Sequence, residues 1–157
     1  MTERCYSVDT SALMDGWIRY YPSANFPRLW SSVDALIEAG RFLISEEVLE
    51  ELKVHDDSLK AWAVERQLRL VVPTDSTVAG EVQRVLAEHS RLVMAMGGRN
   101  RADPFVIAVA RLQGATVVTG EVGGTQSRPK IPSVCNALGI PVLPFLGLIQ
   151  AESWVFG

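Results

Sequence analysis

The stretch Cys5-Tyr6-Ser7-Val8-Asp9-Thr10-Ser11-Ala12-Leu13 decides how this chain is read. Four residues make a short apolar strand, and the chain passes from Val8 directly into an acid. Ala12-Leu13-Met14-Asp15-Gly16-Trp17-Ile18 then reads as a short helix. The same alternation continues downstream. Leu29, Trp30, Val33, Leu36 and Ile37 recur at helical spacing up to Gly40, a good helix stop. Phe42-Leu43-Ile44 is a second strand, and Ser45 is placed to cap the helix that carries Val48, Leu49 and Leu52. A helix capped by Asp57 and running to Leu68, a strand at Leu70-Val71-Val72, and a helix with the stripe Val78, Val82, Val85 and Leu86 follow. Asp103-Pro104 opens another helix that ends at Gly114, before a fourth strand at Thr116-Val117-Val118-Thr119. Pro141-Val142-Leu143 is a short fifth strand, and Phe145 to Glu152 a last helix. Strands alternating with helices predict a parallel sheet covered on both faces, with chemistry at the carboxyl ends of its strands.

The 157 residues suit one domain, spanning 1–157, with a genuine core. No apolar run approaches the roughly 20 residues of a membrane span. The N-terminus lacks the layout of a signal peptide, so a cytoplasmic location is expected. Cys5 and Cys135 form no CxxC and no disulfide framework. With 18 Asp+Glu against 15 Lys+Arg, the net charge of −3 argues against nucleic-acid binding by bulk positive charge. Its distribution is uneven. Residues 38–57 hold seven acids against Arg41 and Lys53, a balance of −5, whereas 84–130 hold seven bases against Glu88, Asp103 and Glu121, a balance of +4. An acidic cleft beside a basic edge is compatible with a metal-bridged encounter with a polyanion.

Four carboxylates stand out by position: Asp9, Glu51, Asp103 and Glu121. Asp9 ends a buried strand, where an unpaired charge is costly. Glu121 lies just past the fourth strand. Asp103 also reads as an ordinary N-cap. Glu51 belongs to the charged run Glu46-Glu47-Val48-Leu49-Glu50-Glu51-Leu52-Lys53, from which its place three residues after Val48 and beside Leu52 separates it. Acids converging on one cleft repel one another and take up protons unless a cation neutralises them. Hard oxygen ligands select Mg²⁺ or Mn²⁺, and no Cys/His cluster favours zinc. Such ions activate water and stabilise charge developing on a phosphate.

Four blocks taken together resemble the PIN-domain nucleases: Tyr6-Ser7-Val8-Asp9-Thr10-Ser11-Ala12-Leu13, Ile44-Ser45-Glu46-Glu47-Val48-Leu49-Glu50-Glu51-Leu52, Ala102-Asp103-Pro104-Phe105-Val106-Ile107-Ala108 and Val117-Val118-Thr119-Gly120-Glu121. Leu59-Lys60-Ala61-Trp62 and Pro129-Lys130-Ile131-Pro132-Ser133-Val134-Cys135 are similar to a bacterial branch long described as a domain of unknown function. The resemblance implies a three-layer PIN-like α/β fold, with a central parallel sheet of four or five strands flanked by helices. It implies a Mg²⁺- or Mn²⁺-dependent ribonuclease, the toxin of a toxin–antitoxin pair as in VapC-type proteins. Asp9, Glu51, Asp103 and Glu121 would be its catalytic, metal-holding acids, with Ser11 and Thr119 orienting them. Glu51 competes with Glu50 and Glu47 for the second position and is preferred because it directly precedes an apolar residue. Glu121 stands where many members carry Asp, so its metal contact is either direct or through water. An antitoxin, plausibly a helix-turn-helix DNA-binding protein, and a homodimer are the implied partners, with no membrane.

Arg99, Asn100 and Arg101 follow Gly97-Gly98 and are candidates for gripping RNA phosphates, or else a solvated loop; Arg128 and Lys130 would extend that edge. Neither Gly97-Gly98 nor Gly123-Gly124 matches a phosphate-cradling fingerprint. Trp17, Trp30 and Trp62 read as core packing or a subunit interface before base stacking, and His55 and His89 as surface residues. Tyr20-Tyr21 with Phe26 are loop aromatics placed either to stack on RNA or to meet a partner. Two other functions compete: a catalytically weak PIN-like RNA-binding or interaction module, and a phosphatase of the haloacid dehalogenase type. The latter usually wants a second Asp two residues after the first, where this chain has Ser11.

Overall fold

A computed structural model of the protein describes residues 3–90 and 102–156. Arg99, Asn100 and Arg101 lie outside the described residues. Five strands, β1 (Tyr6–Val8), β2 (Phe42–Ser45), β3 (Val71–Val72), β4 (Thr116–Val118) and β5 (Val142–Leu143), form one sheet in the order β3-β2-β1-β4-β5. Every pairing is parallel, with Tyr6 opposite both Phe42 and Thr116. The helices are α1 (Thr10–Met14), α2 (Pro27–Glu38), α3 (Glu46–His55), α4 (Asp57–Glu65), α5 (Gln67–Leu70) and α6 (Ser76–Glu88). Three more follow: α7 (Asp103–Gln113), α8 (Ile131–Leu138) and α9 (Phe145–Ala151).

Strand β1 is buried along its whole length, so both of its faces must be covered. Ser7 donates from Oγ to the Val106 carbonyl of α7 at 2.8 Å, which assigns one face. Tyr6 reaches the other way and donates to Glu152 at 2.5 Å, just past α9. Helix α7 is buried at seven of its eleven residues because it lies between the sheet and α6, where Val78, Val82 and Ala108 form a small second core. On the other face Trp30, Trp62, Phe42 and Phe145 pack with Trp17 and Tyr21, rings 4.9–6.4 Å apart. The three tryptophans therefore serve packing, as their spacing predicts. Tyr21 and Phe26 join this cluster edge-on, and Tyr20 stays exposed.

Several details differ from the sequence reading. The first helix does not run evenly to Ile18; after Met14 the chain widens into a π-helical stretch, Asp15–Tyr20, closed by Tyr21 N–H donating to the Gly16 carbonyl at 2.9 Å. Asp56, not Asp57, caps α4, accepting from Leu59 N–H at 2.8 Å. The helix expected as far as Leu68 breaks at Arg66, whose guanidinium grips Asp34 and lies over the Trp62 ring. Helix α8 adds an element the sequence reading does not include. Both thiols are free. Among the described residues, no helix is long and apolar enough to cross a membrane.

Candidate functional site

Strands β2 and β3 extend the sheet from one side of β1, and β4 and β5 from the other. The chain thus switches direction between β1 and β4, and ligands of open α/β sheets bind in the crevice outside the strand ends at such a point. Asp9 and Thr119 are the first residues past these two strands.

Asp9 is almost wholly buried, at 4% exposure, and three donors fix it. Ala12 N–H caps α1 on Oδ1 at 2.8 Å, the Ser11 hydroxyl reaches Oδ1 and Oδ2 at 2.8 and 3.0 Å, and the Thr119 hydroxyl reaches Oδ2 at 2.5 Å. Burial nevertheless outweighs these bonds and, with the Glu121 charge, lifts the Asp9 pKa to about 6. Ser11 and Thr119 also tie the two strand ends together. Ser11 Oγ accepts from Gly120 N–H at 2.9 Å, and Thr119 Oγ1 accepts from Glu121 N–H at 3.0 Å. Glu121 in turn accepts on Oε2 from Ile131 N–H, the first amide of α8, at 3.1 Å.

Asp103 does not cap its helix. Ala102 occupies the N-cap, and no side chain closes that end. The carboxyl of Asp103 is turned inward, 5% exposed, with Oδ2 buried and without a hydrogen-bond partner among the described residues. Desolvation, then the charges of Glu121, Asp9 and Glu51 in that order, raise its pKa to about 8.

Glu51, half-buried, is pushed upward by burial and held down chiefly by His55, one helical turn on. The Ala102 amide and the Thr10 hydroxyl lean the same way. Thr10 Oγ1 does not complete a hydrogen bond and is left buried without a partner. The neighbouring acids are engaged elsewhere. Glu46 and Glu47 accept from Thr74, and exposed Glu50 pairs with Lys53 at 3.0 Å.

The four acids thus feel one another's charge across one crevice. Among the described residues they are not drawn into a closed ligand cage. The donor set still fits a hard divalent cation: carboxylates crowded together, raised pKa values, and a buried carboxyl oxygen with no donor among the described residues. Sequence reasoning missed three neighbours. His55 was detectable as the residue four after Glu51. Thr10 carried no signal. Asp15 comes close only through the fold: a Cβ at position 120 would displace its Oδ2 and crowd Ser11 Oγ at 3.2 Å, so Gly120 keeps this space open. Cys135, fully buried on α8, has its thiol pKa pushed up to about 12 by burial and then by Asp9, Asp103 and Glu121.

Over residues 6–156 the chain matches the model of a family described as "Domain of unknown function (DUF4411)". No curated protein matches it. Among solved structures it is similar to a chain in the crystal structure of DNA-bound VapBC from Salmonella typhimurium. The identity is 20% and the TM-score 0.55, covering 91% of this chain and 99% of that one. At that identity the likeness speaks for the fold, which is PIN-like with a five-stranded parallel sheet.

Proposed function

The chain belongs to the DUF4411 family, and we propose that it is a metal-dependent endoribonuclease that hydrolyses RNA phosphodiester bonds. The observation that carries this reading is the mutual electrostatic coupling of Asp9, Glu51, Asp103 and Glu121 at the switch point, with the Asp103 carboxyl buried and without a hydrogen-bond partner among the described residues. These four would hold Mg²⁺ or Mn²⁺, which supplies positive charge for the phosphate and lowers the pKa of an attacking water when bound. The chain's own residues do the positioning. Ser11, Thr119 and the Ala12 amide fix Asp9, the α8 amide at Ile131 fixes Glu121, and His55 helps keep Glu51 charged.

Three donors on the Asp9 carboxylate suit a fixed ligand better than a nucleophile, which favours the nuclease over the phosphatase reading. The PIN-like fold supports a role as toxin of a toxin–antitoxin pair in the cytoplasm. Its antitoxin, a helix-turn-helix DNA-binding protein, would cover the acidic crevice, and the toxin would act as a homodimer. Arg99, Asn100 and Arg101 would grip RNA next to Asp103 in sequence.

A mixed RNA pool incubated with Mg²⁺, Mn²⁺ or chelator tests the reading. Cleavage that needs the metal and disappears in Asp9→Asn is expected. RNA retained without cleavage would make the protein a binding module, and phosphate released from small phosphoesters alone would make it a phosphatase.

A further inference from the structure

We propose that the cavity between the end of α6 and the outer face of α8 is a nucleobase subsite for the residue next to the cleaved phosphate, with Lys130 and Arg128 as its phosphate grip. This rests on the ribonuclease reading and specifies where its substrate lies.

The cavity encloses about 740 Å³, within the range of small-ligand sites. His89, Ser90, Thr125, Gln126 and Ser133 line it, with Pro129 and the aliphatic flank of α8 as its apolar part and Glu88 at its edge, where Arg111 stands 3.8 Å from the carboxylate. The hydroxyl and amide side chains of Ser90, Thr125, Gln126 and Ser133 around a partly apolar space match the edge and face of an unpaired base. The half-buried imidazole of His89 adds a flat ring for stacking.

Its position relative to the acids is fixed by the first turn of α8. Ile131 N–H binds Glu121 on one side of that turn. Two residues on, Ser133 lines the cavity, and its Oγ closes the turn, accepting from Lys130 N–H and donating to the Lys130 carbonyl, both at 2.9 Å. Acidic crevice and cavity therefore share one rim, and Lys130 stands on it.

The preceding loop is held as firmly. Thr125 and Arg128 exchange two hydrogen bonds at 3.0 Å, Thr125 N–H to the Arg128 carbonyl and Arg128 N–H to Thr125 Oγ1. Gly124, at φ +102°, lies so near α8 that a Cβ there would stand 2.5 Å from Ser133 Oγ and 2.9 Å from Lys130 N. Arg19, Arg41, Lys53, Arg66, Arg84 and Arg111 each hold a carboxylate. Arg128 and Lys130 are exposed and pair with none among the described residues, as is also true of Arg4, Arg28, Lys60 and Arg69, but Arg128 and Lys130 are the two on this rim. Two cations left unneutralised on a braced rim, beside crowded acids, have a phosphodiester as their natural counter-ion.

The experiment compares full-length wild type, Gln126→Ala and Lys130→Ala. Cleavage sites in a random RNA pool with Mn²⁺ are sequenced, and binding of a random-sequence RNA hexamer is followed by anisotropy in chelator. Wild type should prefer one base beside the cut. Gln126→Ala should lower that preference at least tenfold, with the unfolding midpoint unchanged. Lys130→Ala should keep the preference, raise KM and weaken hexamer binding at least fivefold, and reduce the salt slope of binding by about 1. Preference unchanged in Gln126→Ala, or hexamer affinity and salt slope unchanged in Lys130→Ala, overturns the proposal. If wild type does not cleave, the ribonuclease reading fails by itself and the hexamer measurement still decides whether Lys130 grips phosphate.

Discussion

Asp103 is the residue on which the site's electrostatics turn. In the unfolded chain its carboxyl ionises near pH 4, whereas burial and three neighbouring acids raise it to about 8 in the fold. The folded state therefore binds a proton that the unfolded state releases, so this group's contribution is complete below about pH 4 and lost as pH rises towards 8. Asp9, raised to about 6, adds the same sign over the lower part of that window. In chelator, the urea midpoint of wild type should fall between pH 5 and pH 8 relative to that of Asp103→Asn, and a constant difference would refute this. At pH 8 the variant should be the more stable by about 1–3 kcal/mol, since it removes a buried charge without a partner, while metal-dependent cleavage is abolished. Gly120 makes a second residue-scale prediction. Gly120→Ala must displace Asp15 or Ser11 and through Ser11 disturb Asp9, so kcat should fall by about 100-fold with the circular dichroism spectrum unchanged.

At the scale of elements, what was legible depended on periodicity and strand ends. Each strand and the long helices announce themselves by apolar spacing, and Asp9 and Glu121 by following strands. Helix α8 did not. Its stripe, Ile131, Val134, Cys135 and Leu138, keeps helical spacing but spans only eight residues, and Pro132 sits in its first turn, where no amide hydrogen bond is lost. That omission hid how Glu121 is held. Asp103 shows the opposite failure: Asp-Pro at a helix start is a good cap signal, yet Ala102 takes the cap and the acid turns inward. Long-range latches left no trace at all. Glu152 accepts from Tyr6 and from Arg41, at 2.5 and 2.7 Å, tying the end of α9 to the amino ends of β1 and β2. Glu152→Ala should lower stability by about 2 kcal/mol in urea unfolding without changing metal binding, because the latch lies at the far edge of the sheet.

Across the whole molecule, opposite edges of the sheet do different work. The amino-terminal edge is closed by the Tyr6–Glu152–Arg41 latch, and the carboxyl-terminal edge gathers repelling acids that cost stability in the metal-free protein. Such a conflict is tolerated where function needs it. The uneven charge of the sequence is only partly gathered here: of the acidic run 38–57 Glu51 alone couples to Asp103 and Glu121, while Arg128 and Lys130, without an ion pair among the described residues, stand on the rim beside it. The central claim is that the four acids form a divalent-cation site. Calorimetric titration with Mn²⁺ at pH 7, in two buffers of different ionisation enthalpy, tests it most directly. Binding to wild type should release about one proton, chiefly from Asp103, and should be lost in Asp9→Asn and Asp103→Asn. Mn²⁺ binding that persists unchanged in both variants, or releases no proton, would contradict the account.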